Sequence, residues 1–378
     1  MRAYLDNAAT TPVAPEVMEV MSTVMKEHFG NPSSAHFYGR NAKALIENAR
    51  RSVARHLNCS PAEIVFMSGG TEADNMAIHA AVFALRVERI ITSKIEHHAV
   101  GHTVEVLRDN GDVHVEYVNV LSNGHVDLDH LESLLKENKK TLVTLMHANN
   151  EISTLLPLQI VSAMCKKYSA YFHSDTVQTM GHYPFNLESL EIDFLTCAAH
   201  KFHGPKGVGF LYVNRKTKTE AFIHGGAQER GLRGGTENLY GIVGLSKAMD
   251  LAYEHLEDHR QHVQSLKDFM MVSLKKLFSD AYFHGDTDPS KSLYTVLNVS
   301  LPATEKSGML LFTLDLKGVA VSGGSACSSG ATKGSHVLVG IGADMSRPNV
   351  RFSFSRYTTK EEVQFAIEQL ASIYHRNL

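Results

Sequence analysis

Cysteine is scarce in this chain. There are four, Cys59, Cys165, Cys197 and Cys327, scattered and with no C-x-x-C pair. That excludes a disulfide framework and a cysteine-built zinc site, and it suits a reducing cytoplasm. Charge excess is lacking too. A net charge of -3 leaves no basic footprint for nucleic acid and no polybasic membrane patch. No apolar run reaches a membrane-spanning length. The opening Met1-Arg2-Ala3-Tyr4-Leu5-Asp6 has no basic segment followed by an apolar one, so no signal peptide is expected. Histidine is abundant, at 22, yet no H-E-x-x-H pattern occurs. Internal repeats and low-complexity segments are absent. What remains is an ordinary globular composition, 43% hydrophobic and 20% charged. At 378 residues the chain exceeds what one core usually fills, and two domains are expected.

From about residue 60 to 215, short β-rich runs alternate with helical patterns. Strands are expected at 64–67, 89–92, 114–118, 142–146, 171–174, 194–196 and 208–213, with helices between them such as 73–84 and 158–167. This alternation predicts βαβ units and an α/β fold with a mostly parallel sheet covered on both faces. Residues 241–278 read as one helical stretch. Extended runs at 295–300 and 350–354 and a last helix at 360–376 predict a smaller α+β domain. The expected division is an N-terminal segment, 1–15, associated with the small domain; a large domain, 16–250; and a small C-terminal domain, 251–378.

Open α/β sheets bind ligands beyond the carboxyl ends of their strands, and four polar clusters fall at such ends. In Ser68-Gly69-Gly70-Thr71-Glu72 a strand runs into Gly-Gly and then a helix. Free N–H groups there, with the Thr71 hydroxyl, suit a phosphate; an ordinary capped turn reads the same way. Asp175 ends a buried run, where a carboxylate must be paired. It either caps the next helix or meets a protonated ring nitrogen. Lys201, in Ala199-His200-Lys201-Phe202-His203-Gly204-Pro205-Lys206-Gly207, follows a strand. A lysine held in an enclosed site loses hydration and becomes a Schiff-base nucleophile. Lys206 competes, but Gly-Pro-Lys-Gly reads as a more exposed turn. In Glu96-His97-His98 a histidine is placed to stack on a flat ring and move protons, although a lone histidine is as readily structural. A phosphate cradle, a strand-end Asp, a strand-end Lys and an aromatic base are the parts a pyridoxal phosphate enzyme needs.

A fifth feature is the segment Val321-Ser322-Gly323-Gly324-Ser325-Ala326-Cys327-Ser328-Ser329-Gly330. Small and hydroxylated residues have little apolar surface to bury, so a mobile surface loop is expected. A cysteine is usually a small buried hydrophobe, but these neighbours favour a working thiol at Cys327.

With these segments the chain resembles the cysteine desulfurases of the NifS/IscS type, in the class V aminotransferase group of fold-type I pyridoxal phosphate enzymes. The likeness runs through Tyr4-Leu5-Asp6-Asn7-Ala8-Ala9-Thr10-Thr11-Pro12, Gly30-Asn31-Pro32-Ser33-Ser34-Ala35-His36, Ser68 to Asn75, Glu96-His97, Asn149-Asn150-Glu151-Ile152, the Lys201 segment, Arg233-Gly234-Gly235-Thr236-Glu237, the Cys327 loop and Val350-Arg351-Phe352-Ser353. The long cysteine loop resembles the group I branch. The resemblance implies a homodimer that turns L-cysteine into L-alanine and leaves a persulfide on Cys327. A sulfur-acceptor protein, such as an iron–sulfur scaffold, would then take the sulfur. Lys201 would hold pyridoxal 5'-phosphate, Asp175 its ring nitrogen and Gln178 its ring hydroxyl. His97 would stack on the ring and act as acid or base. Gly70, Thr71 and His200 would bind the phosphate, with Thr236 arriving from the other subunit. Asn150 and Arg351 would grip the substrate carboxylate, with Asn31 nearby. The chain departs from the family at Ala198, where a serine is common, so one phosphate contact is missing unless Ser68 replaces it. Scaffold-docking members carry a longer C-terminal tail than the one ending here at Leu378. The same lysine chemistry also serves a selenocysteine lyase or another β-eliminating enzyme.

Overall fold

The computed structural model describes residues 1–305, 307–323 and 334–376. The chain opens with β1 (Ala3–Tyr4), α1 (Pro15–Glu27) and α2 (Phe37–Leu57). Then come β2 (Ile64–Met67), α3 (Gly70–His79), β3 (Arg89–Thr92), α4 (His98–Asp109), β4 (His114–Tyr117) and α5 (Leu128–Leu135). The middle holds β5 (Thr141–Thr144), α6 (Leu158–Lys167), β6 (Tyr171–Asp175), β7 (Phe194–Ala198) and β8 (Gly209–Val213). Two long helices follow, α7 (Leu239–Glu254) and α8 (Leu256–Leu277). The last part holds β9 (Tyr282–His284), β10 (Val296–Ser300), α9 (Leu310–Leu316), β11 (Val319–Ala320), α10 (His336–Gly340), β12 (Asn349–Ser353) and α11 (Lys360–Ile373).

The expected α/β class is observed. The central sheet has 7 strands in the order β2-β8-β7-β6-β5-β3-β4. Among the described residues only β8 runs against its neighbours in this sheet; the remaining pairings are parallel. Runs such as Ile-Val-Phe-Met and Phe-Leu-Thr-Cys-Ala are buried throughout, because helices cover both faces. Phe66, Ile91, Val143 and Leu195 pack on Val53, Leu57 and Ile242 on one face. Their chain neighbours Val65, Ile90, Leu142 and Phe194 pack on Met76 and Val104 on the other. A second core joins α8, α11 and the antiparallel sheet β12-β10-β9 through Leu266, Met270, Val299, Phe352 and Leu370. Ala3 and Leu5 belong to that second core, and β1 pairs in parallel with β11.

The single helix expected over 241–278 is two helices that break at His255, whose φ is -124°. The two apolar stripes face different cores: Ile242, Leu245 and Met249 the first, Val263, Leu266 and Met270 the second. The helix expected to begin at Ala73 starts at Gly70, and its end, 80–84, winds as a π turn. Among the described residues no helix is long and apolar enough to cross a membrane.

A buried ion pair fixes the loop before α7. Arg50, 2% exposed, donates through Nη1 and Nη2 to Glu229 at 2.7 and 2.8 Å, and Glu229 also accepts the Phe66 N–H at 2.9 Å. Glu229 and Arg230 both adopt left-handed backbone, with φ of 45° and 59°. Arg50→Ala strands a buried carboxylate, and a loss of about 3–5 kcal/mol in unfolding free energy is expected. Chemical denaturation measures it, and an unchanged midpoint contradicts the account.

Candidate active site

The carboxyl ends of β2, β3, β5, β6 and β7 converge on a cavity of about 230 Å³. Each turn that follows a strand there delivers polar side chains. β2 leads to Gly70 and Thr71, β3 to His97, β5 to Asn150, β6 to Asp175 and Gln178, and β7 to His200 and Lys201. Arg351 comes from β12 of the second core, and Ala8 and Ala9 from the N-terminal segment. The sequence-predicted Lys201, Gly70, Thr71, His97, Asn150, Asp175, Gln178, His200 and Arg351 thus line one cavity.

Lys201 ends a short helical turn, Ala199–Lys201. Its Nζ donates to the Ala8 carbonyl at 2.5 Å and the Ala9 carbonyl at 2.9 Å. Lys206 is exposed and outside the cavity. Asp175 accepts the Val177 N–H at 2.9 Å. Burial, then the charge of Asp74, pushes its carboxyl up to about 6, while His97 pulls it the other way. His97 is the N-cap of α4, and its Nδ1 accepts the Ala99 N–H at 3.2 Å. Burial holds it below its ordinary value, so the ring is neutral near pH 7. His200 bonds through Nδ1 to the Thr10 hydroxyl at 3.2 Å, and burial pushes it down to about 4. Gln178 donates to the Ala8 carbonyl at 3.1 Å. Arg351 is 1% exposed and donates to the Asn150 carbonyl and to Asp6 Oδ1, both at 2.9 Å. Its buried Nε has no hydrogen-bond partner among the described residues.

Other expectations fall elsewhere. Asn31 is exposed and outside this cavity. Thr236 lines a separate hollow of the same chain with Ser68, Arg233 and Asn238. Ser68, offered as a replacement donor for Ala198, is exposed there, and its backbone N–H donates to Glu72 at 2.7 Å. Ala198 itself lines the cavity. Cys327 lies outside the described residues. Sequence reasoning also missed Asp6, Asp74 and the carbonyls of Ala8 and Ala9. Asp6 to Ala9 stand in a segment matched to the family, but no local signal ties Asp6 to an arginine 345 residues away.

These residues fit pyridoxal phosphate. The N-terminus of α3 opens on the cavity through Gly70 and Thr71, and a Cβ at Gly70 would come within 2.7 Å of Val177 Cγ2. A helix start of this kind attracts phosphate. Burial holds the Asp175 carboxyl above its ordinary value, which suits a site for a protonated ring nitrogen. Comparison with known proteins agrees: a profile described as Aminotransferase class-V matches residues 3–365. The chain belongs to the class V aminotransferase family. Members of this family are pyridoxal phosphate enzymes.

A relative named cysteine desulfurase IscS, from Dictyoglomus turgidum, is 43% identical over 99% of this chain and 94% of its own length. A solved NifS-like protein superposes with a TM-score of 0.92 at 39% identity, covering 99% of this chain and all of that one, 100%. Another solved structure, described as SspA in complex with cysteine, superposes at 0.82 with 31% identity, over 94% of this chain and 100% of the other. The fold expected from the resemblance, that of the NifS-like enzymes, is therefore the one observed.

Proposed function

We propose that this protein is a pyridoxal phosphate-dependent cysteine desulfurase. Free L-cysteine and the Cys327 thiol become L-alanine and a Cys327 persulfide, a balanced exchange in which the substrate's C–S bond breaks and an S–S bond forms. The observation that carries the reading is the convergence of Lys201, Asp175, His97 and Arg351 on one cavity beside the α3 N-terminus. The desulfurase name of the 43%-identical relative supports it, and so does the cysteine held by the SspA neighbour. Nothing in the site favours the β-eliminating alternatives.

When bound, the cofactor draws electrons from the substrate's Cα. The chain's own residues do the rest. Gly70, Thr71 and His200 hold the phosphate, Asp175 the ring nitrogen and Gln178 the ring hydroxyl. The unpartnered Nε of Arg351, with Asn150, receives the substrate carboxylate. His97 Nδ1 already accepts a backbone N–H, so its neutral ring carries the proton on Nε2. His97 is thus set as a donor, and the Cα proton falls to the amine of Lys201. In this reading 16–250 form the cofactor domain, and 251–378, with 1–15, the domain that brings Arg351 and Cys327. The working form is a homodimer. An exposed aromatic group, Phe29, Phe37 and Tyr38, offers apolar surface for its formation, close in sequence to Asn31, and Thr236 serves the partner's phosphate. A reducing cytoplasm keeps Cys327 reactive, and the sulfur leaves to an acceptor protein for iron–sulfur or other thio-cofactors.

The test is the yield of alanine and sulfide from L-cysteine with a reductant present, repeated with Cys327→Ser. Absence of both products from the parent protein sinks the reading. Arg351→Ala should raise KM for L-cysteine roughly ten- to hundredfold, the value of about 1.5–3 kcal/mol for a lost charge-assisted contact. An unchanged KM removes Arg351 from the carboxylate.

A further inference from the structure

Asp74 has no part in the chemistry above, yet it lies in the wall of the same cavity. It stands on the second turn of α3 and is 1% exposed. Oxygen and nitrogen atoms of Asp74, Asp175 and His97 lie within 4.8 Å of one another. Two buried carboxyl groups that close cannot both ionise at modest cost. One proton has to stay on the pair.

Donors decide which oxygen keeps it. Asp175 has the Val177 N–H at 2.9 Å. The Thr196 hydroxyl bonds the Asp74 carboxyl and favours its ionised form, but Asp74 Oδ1 has no hydrogen bond among the described residues; His173 Nε2 stands 3.4 Å away but makes none with it. His173 is no counter-ion. Its two nitrogens meet the Thr144 and Thr196 hydroxyls at 2.8 and 3.1 Å, and burial pushes it down to about 4, which leaves the ring neutral. An ionised carboxylate accepts only, so a charged Asp74 would leave a buried oxygen unsatisfied.

We propose that Asp74 is a positioning residue that keeps the shared proton, so that Asp175 alone carries the negative charge facing the cofactor ring. The proposal rests on reading the cavity as a cofactor site. The groups around Asp74 are His173 and Asp175 on β6, Glu96 and His97 at the start of α4, the Thr196 hydroxyl on β7, and Lys201 beyond it. Glu96 is buried like Asp74 and raised for the same reason, so it adds no counter-charge. Burial raises Asp74 to about 8.

The sign of the pH effect follows. A carboxyl that is protonated when folded and ionised when unfolded contributes stability below its unfolded value, about 4, and that stability is lost as pH rises towards the folded value. Asp74→Asn cannot ionise. It should therefore gain on the parent in melting temperature as pH rises from 5 to 8.5. Full-length holoenzyme of the parent, Asp74→Asn and Asp175→Asn would be melted across that range, and the cofactor retained on dialysis measured. Asp74→Asn is expected to hold the cofactor within about threefold of the parent, and Asp175→Asn to lose about tenfold or more in affinity, the worth of about 1.4 kcal/mol. Two results overturn the proposal: Asp74→Asn sheds the cofactor as Asp175→Asn does, or it melts below the parent by a gap that widens with pH. Should Asp74→Asn not fold, Asp74→Leu, neutral and of similar size, carries the same comparison. Failure of both to fold shows that a side chain without charge cannot stand in for Asp74 and ends the idea. If the parent itself retains no cofactor, the functional reading falls, while the melting gap still decides where the proton sits.

Discussion

Lys201→Ala is expected to abolish the covalent attachment of the cofactor, the yellow colour due to it and the turnover of L-cysteine. The physical reason is the lack of a substitute amine. Lys201 is placed by β7 and the tight turn Ala199–Lys201, and two carbonyls of the N-terminal segment hold its Nζ in the cavity at 2.5 and 2.9 Å. Lys206 is exposed, beyond the buried Gly204 and Pro205. To reach the cavity it would have to unmake a turn packed against Ala199, where a Cβ at Gly204 would already stand 2.7 Å from the Ala199 Cβ. On the proposed reading Lys201 is both the attachment point and the proton acceptor, and its loss should lower turnover by more than about 10³-fold, since positioned acid–base groups alone contribute 10²–10⁴. Borohydride treatment followed by peptide mass mapping checks the assignment. An adduct on Lys206 in the variant, or wild-type colour, refutes it.

The sheet and the strand-end residues were legible in the sequence because both rest on local patterns. Buried parallel strands read as continuous apolar runs, and the residues that stop those runs, Asp175 and the Lys201 turn, are by construction at the sheet's carboxyl edge. What was not legible is what the chain brings from far away. Asp6 pairs with Arg351 without any local sequence signal to announce it, and the carbonyls of Ala8 and Ala9 carry no side-chain signal at all. Asp74 was hidden differently. It stood inside a quoted segment, but only the placement of α3 on β6 and β7 shows that its carboxyl faces Asp175 rather than solvent. The break at His255 also escaped, because helical propensity continues through it; two cores claim the two halves. Ser68 illustrates the reverse error. A hydroxyl beside a phosphate cradle looks like a donor, yet Ser68 is exposed, lines a different hollow and is engaged with Glu72.

Cys327→Ala should separate substrate binding from sulfur transfer. L-cysteine still binds, because Arg351, Asn150 and the cofactor residues are untouched, and the absorption spectrum still responds to it. Alanine does not accumulate, because no other thiol serves. The nucleophile is a thiolate. Burial pushes the Cys59 thiol up to about 12, which leaves roughly one molecule in 10⁴ ionised at pH 8. Cys165 and Cys197 are buried and raised by burial as well, and Cys197 is on the apolar side of β7, in the first core. The chain on either side of 324–333, by contrast, is fastened to Arg351 of the cavity and to Asp6, Glu96 and Glu151, which are the sequence neighbours or partners of cavity residues. Ser322 pairs with the Arg351 backbone at 2.6 Å and its hydroxyl bonds Asp6 at 2.9 Å. Ser335 bonds Glu151 at 2.5 Å, and His336 the Glu96 carbonyl at 2.9 Å. A brief reaction of the parent protein without reductant should leave one extra sulfur on the peptide that contains Cys327, read by mass after alkylation. If that sulfur appears on Cys59, Cys165 or Cys197, or if Cys327→Ala makes alanine at the parent rate, sulfur does not pass through Cys327. The lysine would then serve a β-elimination that releases sulfide directly.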